Sequence, residues 1–259
     1  MLSLSQIKTS YPEPLHVFER FMIREYLQYK ILELIFDTKH ASKLSFLGGT
    51  CLRIVHGNNR FSEDLDFDNF NLSQQEFDLV TSEVEKGLAK LGFKVEMKNV
   101  TKGAYHCYIR FPELLFREGL SGHTNEKISI QLDSEAHSFL YKTEKPIINK
   151  FDVFTQISST PADILLSMKF FAVINRKKNK GRDFFDIVSL LGNGFKPNYR
   201  YLEHKLGINS AKQLKVEALK KCTSLNMKEM ALDVKPFLFN PSDDKKVLLF
   251  EKYLEQVDL

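Results

Sequence analysis

"GGTCLRIVHGNNRFSEDLDF", residues 48–67, places a glycine pair, a short apolar-periodic run and two carboxylates one residue apart in a single segment. On an extended strand, side chains at i and i+2 share a face. Asp64 and Asp66 therefore project together while Leu65 and Phe67 point the other way, into a core. Two like charges held side by side repel, and a cation offsets that cost. Mg²⁺ suits the arrangement, because it binds through one or two carboxylates, waters and substrate phosphate oxygens. Gly48 and Gly49 supply the complement. Lacking a Cβ, they let N–H groups approach phosphate, and a helix starting near Thr50 turns its positive end toward the same anion. Each part also has a plainer explanation: a GG dipeptide is most often a turn, and an acidic DxD is commonly a solvated strand edge.

The surrounding pattern gives the segment its context. "KLSFLGG" is a short buried strand closed by glycines, "TCLRIVHG" one or two helical turns, and "EDLDFD" a second strand. Upstream, residues 14–39 carry apolar side chains at near-helical spacing and predict a long helix, with Ser10 and Pro12 as start signals. Downstream, "SQQEFDLVTSEVEKGLAKLG" predicts an amphipathic helix between a Ser73 cap and a Gly92 stop. The period then changes to two in "FKVEMKNV", "AYHCYIRF" and "EKISIQLD", which suits one half-buried sheet. Asp133 ends the last of these, on the face opposite Ile128, Ile130 and Leu132. It reads either as a strand-end charge or as the third carboxylate that holds a second ion roughly 4 Å from the first. From Pro161 the pattern is helical throughout, as in "PADILLSMKFFAVINR", "RDFFDIVSLLGNG" and "DDKKVLLFEKYLEQV". The expected architecture is α+β: a sheet-bearing domain over 1–160 and an all-helical domain over 161–259.

Composition narrows the remaining choices. The chain has 259 residues, with 43% hydrophobic and 27% charged, ordinary for a soluble globular protein. Its 37 basic against 33 acidic residues tolerate a polyanionic partner without requiring one. Cys51, Cys107 and Cys222 are odd in number and widely spaced, which argues against a disulfide framework or a paired zinc site and for a reducing compartment. The N-terminal stretch shows no basic start followed by an apolar run, and no segment approaches the roughly 20 apolar residues of a membrane span. A cytoplasmic protein without membrane contact is expected. His106, His123 and His137 lack metal-ligand spacing, and no nucleophile elbow accompanies them. The 22 phenylalanines sit mostly at core spacing and are not read as a base-stacking platform.

The order of strand, GG, short helix, DxD strand and distal Asp resembles the nucleotidyltransferase superfamily. More narrowly, the segment resembles AbiEii/AbiGii-type nucleotidyltransferase toxins, in which G-G-T-x-L-R precedes R-F-S-x-D-L-D-F. "MKFFAVINRKKNKGRDFFDI" is similar to the family's later motif, a lysine followed by R-D-x-x-D. The resemblance implies a nucleotidyltransferase-like mixed sheet with a helical half that completes the site. It implies Asp64, Asp66, Asp133, Lys169 and Asp186 as catalytic residues, with the first three holding two Mg²⁺ ions. Gly48, Gly49, Thr50, Arg53, Ser62, Lys169, Arg182 and Asp183 would hold the nucleotide. By chemistry, Lys169 would place a point charge on the triphosphate and Arg182 a bidentate fork. The plainer alternatives are a snorkelling lysine and, for Arg176, Lys177, Lys178 and Lys180, a solvated turn. Arg53 is expected either to pair with an aspartate or to touch phosphate. The implied activity is transfer of a nucleoside monophosphate from an NTP to an acceptor hydroxyl, on RNA such as a tRNA 3′ end. The implied role is a toxin of a toxin–antitoxin or abortive phage-infection system, neutralised by a cognate antitoxin. The alternatives are an NTP- or RNA-binding module without turnover, and an enzyme that modifies protein hydroxyls.

Overall fold

The computed structural model describes residues 1–259. Their contacts divide the chain into two compact units. The first comprises Met1–Val55, Phe61–Ser138 and Thr143–Thr160, and the second His56–Arg60, Phe139–Lys142 and Pro161–Leu259.

The first unit holds α1 (Leu4–Lys8), α2 (Glu19–Phe36), β1 (Leu44–Leu47), α3 (Gly48–Ile54), β2 (Leu65–Asn69), α4 (Gln74–Lys90), β3 (Glu96–Lys102), β4 (Ala104–Phe111), α5 (Leu114–Arg117), β5 (Ile128–Glu135), β6 (Ile147–Lys150) and β7 (Val153–Gln156). Five strands form one mixed sheet in the order β1-β2-β5-β4-β3. Only β2 and β5 pair in parallel. Period-two alternation puts Leu65, Phe67, Cys107, Ile109, Ile128, Ile130 and Leu132 in the core. The alternation fades in β3, an edge strand with no fully buried residue. The outer edge of β1 is covered: Phe46 N–H donates to the Ser158 carbonyl at 2.8 Å, and Thr160 N–H to the Phe46 carbonyl at 2.9 Å.

Helix α2 is buried nearly all round and packs on α4 and β7. The expected start signals belong elsewhere, since Pro12 begins a 3₁₀ turn over Glu13–Leu15 and α2 starts at Glu19 without a side-chain cap. Ser73 caps α4 as expected, in a capping box with Glu76. The β6–β7 hairpin was not legible. Its turn places Phe151 at φ 59°, a left-handed conformation that glycine or asparagine normally announces.

In the second unit, α6 (Ala162–Asn175) packs on α7 (Gly181–Gly192), α8 (Tyr199–Leu206) and α9 (Ala211–Cys222). Helix α7 also packs on α10 (Met227–Val234), α11 (Lys245–Leu248) and α12 (Phe250–Gln256). Phe184 meets Phe250 edge-on at 5.0 Å between ring centroids. The single C-terminal helix expected from periodicity is interrupted at Leu249, where φ −102° and ψ 12° open the turn. The first residue of α7 is held tightly: Gly181 N–H donates to Asp233 at 2.8 Å, and a Cβ at Gly181 would lie 1.7 Å from the Met230 carbonyl oxygen. Gly181→Ala must push α10 away, so it is expected to lower stability by about 1–3 kcal/mol. Thermal unfolding checks this through a Tm drop that Gly192→Ala, in open space, does not reproduce.

Candidate active site

Strand register assembles the acidic face. Asp66 on β2 lies opposite Asp133 on β5, and Asp133 lies opposite His106 on β4, so the three form one row across the sheet. Asp64, just ahead of β2, shares the face of Asp66 by strand parity, while Leu65 and Phe67 are buried behind. Asp64 is tied at two points: Thr50 donates its hydroxyl to the Asp64 carbonyl, and Gln131 N–H reaches Asp64 Oδ1 at 3.3 Å. The third member of the alternate series, Asp68, is buried and accepts the His137 backbone N–H at 3.0 Å.

Helix α3 starts at Gly48 rather than near Thr50, so the glycine pair occupies its first turn. Gly48 has φ +80°, and a Cβ there would lie 2.1 Å from Asp66 Oδ2. Glycine is therefore required twice, by its backbone conformation and by the close approach of a carboxylate. Thr50 is fully buried and its hydroxyl is used to position Asp64. Ser62 is half-buried, and its carbonyl accepts from Gln28 at 3.1 Å.

Arg53 pairs with a glutamate. Its Nε lies 2.8 Å from Glu25 Oε2, while Glu25 Oε1 also accepts from Lys150 at 2.6 Å and from Tyr11 at 2.9 Å. Burial favours the neutral acid at Glu25, but Arg53 and Lys150 outweigh it and hold the carboxyl below its usual range.

The later motif forms a buried ion network inside the helical unit. Asp186, expected among the reacting groups, is fully buried. Its Oδ1 accepts from Asn58 at 2.8 Å and from Arg60 Nε at 2.7 Å, and its Oδ2 accepts from Arg60 Nη2 at 2.7 Å and meets Lys169 Nζ at 2.9 Å. Lys169 also meets Asp183 at 2.9 Å, and Arg176 meets Asp183 at 2.5 Å. Lys169, Asp183 and Asp186 are thus joined to one another and to the 56–60 loop. Arg182 lies over the Phe237 ring at 4.5 Å. Sequence reasoning missed Arg60 and Asn58 as partners of Asp186, and it set His106 aside. His106 Nδ1 lies 2.6 Å from Asp133 Oδ1. The only signal was its parity in "AYHCYIRF", which puts it on the polar face of β4.

No group of three or more His, Cys, Asp or Glu side chains stands in metal-holding geometry.

The first unit thus sets a five-stranded mixed sheet, a glycine-opened helix and a DxD strand side by side. Over residues 30–247 the sequence matches the family described as nucleotidyl transferase AbiEii toxin, type IV TA system, and the chain belongs to that family. A crystal structure of a candidate nucleotidyltransferase from H. pylori aligns over 92% of this chain and 97% of its own, with TM-score 0.51 and 16% identity. JHP933 from Helicobacter pylori aligns over 92% and 94%, with TM-score 0.48 and 18% identity. The first supports the fold. No curated protein matches. No helix is long and apolar enough to cross a membrane.

Removing one member of a buried charge network leaves the others unpaired, so Arg60→Ala is expected to cost about 3–5 kcal/mol. Burial pushes the Asp186 pKa up, but Arg60 and then Lys169 more than offset it and set it at about 2. A carboxyl lowered by folding contributes stability above its unfolded pKa near 4, and loses it as pH falls toward 2. Denaturant melts from pH 6 to pH 2 are therefore expected to show an acid loss of stability that shrinks in Asp186→Asn.

Proposed function

We propose that this chain is a Mg²⁺-dependent enzyme that transfers a nucleoside monophosphate from an NTP to a hydroxyl of RNA, such as a tRNA 3′ end. In the cell it would act as the toxin partner of a cognate antitoxin. The observation that carries the reading is the close packing of Gly48 on Asp66, beside Asp64 and in register with Asp133. It sets an acidic face against a residue whose backbone conformation and lack of a Cβ together require glycine.

In this reading Asp64 and Asp66 hold the ion, and Asp133 stands beside them in the row. Bound Mg²⁺ would neutralise developing charge on the triphosphate. The N–H groups at Gly48 and Gly49 approach phosphate oxygens without a Cβ in the way. Thr50 keeps Asp64 in place through its carbonyl. The acceptor hydroxyl gives its proton to the Asp133 carboxylate as its oxygen attacks the α-phosphorus in line, the bond from that phosphorus to the β-phosphate oxygen breaks, and pyrophosphate leaves with the electron pair. Lys169, Asp183 and Asp186 serve by building the network that fixes Arg60 and the 56–60 loop. Family membership supports the toxin role.

Incubation with each α-³²P-labelled NTP in a translation extract is expected to label RNA. Asp64→Asn and Asp66→Asn should each lower labelling by about 100-fold or more. Their Tm should stay near wild type, because each substitution keeps the side chain's shape at a half-exposed position. Label in protein would replace the RNA acceptor with a protein one. Induction in a bacterium should arrest growth with wild type and not with Asp64→Asn. Equal arrest by both would mean inhibition by binding without transfer.

A further inference from the structure

We infer that His106 and Gln131 are positioning residues for this transfer, fixing the Asp133 carboxylate so that Oδ2 is the oxygen left open to a cation or a proton. The inference rests on the reaction proposed above but concerns residues outside both sequence motifs.

The geometry begins with register. His106, Asp133 and Asp66 occupy directly opposed positions on β4, β5 and β2, so their side chains emerge from one face in a line. An ionised carboxylate only accepts, so the proton in the contact between His106 and Asp133 sits on Nδ1, and Nδ1–H donates. Asp133 Oδ1 takes that bond at 2.6 Å and a second from Gln131 Nε2 at 2.8 Å. Oδ2 takes only the longer contact from the same Gln131 nitrogen, at 3.0 Å. The two oxygens are therefore unequal, with Oδ1 saturated and Oδ2 available. Gln131 also reaches the other carboxylate, since its backbone N–H donates to Asp64 Oδ1. One residue thus touches two of the acids, Asp133 through its side chain and Asp64 through its main chain.

Folding does not require these donors. A buried carboxylate needs them to repay lost hydration, but the side chains of His106 and Asp133 are 26% and 29% exposed. Water could serve Asp133 instead. What two side-chain donors add is direction, as outer-shell partners do for carboxylates and imidazoles at metal sites.

The test separates the Nδ1 donor from the rest of the ring. Asparagine can place an N–H where Nδ1–H stands but has nothing at Nε2, whereas glutamine can mimic Nε2 and not Nδ1. Turnover, KM for NTP and Mn²⁺ affinity by electron paramagnetic resonance would be measured for wild type, His106→Ala, His106→Asn and His106→Gln. His106→Ala is expected to lower kcat and Mn²⁺ affinity by about 10–100-fold with NTP KM within about twofold, and His106→Asn to recover most of both. Wild-type values in His106→Ala overturn the inference. So does recovery by glutamine and not asparagine, which would assign the work to Nε2. Should His106→Ala fail to fold, Gln131→Ala removes the other donor and is held to the same outcomes. A wild-type protein that binds Mn²⁺ yet transfers nothing removes the proposed function alone, and the variants' Mn²⁺ affinities still decide the positioning role.

Discussion

The parallel pairing of β2 with β5 is the constraint on which the acidic face depends. Every other strand pair in the sheet is antiparallel, and those pairs alone would leave Asp66 and Asp133 on strands with no fixed relation. The register is enforced from the opposite face. Leu65, Phe67, Leu132 and Ser134 are buried there, and a slip of one residue would carry that set to the solvent side and the carboxylates into the core. Hydrophobic burial at about 25 cal/mol per Å² far exceeds the repulsion between half-exposed charges, so the core dictates where the acids stand. They are placed by residues that take no part in the chemistry.

The molecule uses charge in two ways, and burial separates them. Glu25 and Asp186 are both buried, and each is surrounded by cationic side chains and hydrogen-bond donors. Stripping water from such ions costs several kcal/mol apiece, which close bidentate geometry can offset but an incomplete partner set cannot. Each network therefore joins segments far apart in sequence: α2 to α3 and β6 in one unit, α7 to α6 and the 56–60 loop in the other. Asp64, Asp66 and Asp133 remain half-exposed, and no lysine or arginine contact accompanies the donors that Asp133 receives. The Asp133 carboxylate therefore keeps its capacity to bind a cation.

Most of the sheet and both sequence motifs were legible because period and punctuation agreed. The alternation in "AYHCYIRF" and "EKISIQLD" gave β4 and β5, and Ser73 and Gly92 bounded α4 closely. The hairpin of β6 and β7 was hidden because its turn uses a phenylalanine where the conformation favours glycine. Helix α10 escaped notice although Asn226 caps it, since its eight residues are too short to show a firm period. The break at Leu249 was invisible for the opposite reason: Val247, Phe250 and Leu254 keep a spacing that one continuous helix would also give. At the site, residue types were legible and partners were not. Asp186 stood out in sequence as a motif acid, but nothing local could show that Arg60, 126 positions away, fills its oxygens.

Gly48 shows why the strongest sequence signal was also correctly ambiguous. A glycine pair after a buried strand satisfies an ordinary turn, and φ +80° is the reason a turn would give for it. The structure adds a second reason, independent of the first, in the Asp66 oxygen that stands where a Cβ would be. An asparagine could adopt the backbone conformation at modest cost, but its Cβ would still meet that carboxylate. The residue is thus constrained more tightly than turn chemistry requires, and the surplus constraint points at Asp66. The same holds for Thr50, whose hydroxyl could have bonded back to a carbonyl of the preceding turn but instead holds the carbonyl of Asp64. Where a side chain leaves its usual local partner for one fourteen residues away, the position of that partner is what the fold conserves energy to define.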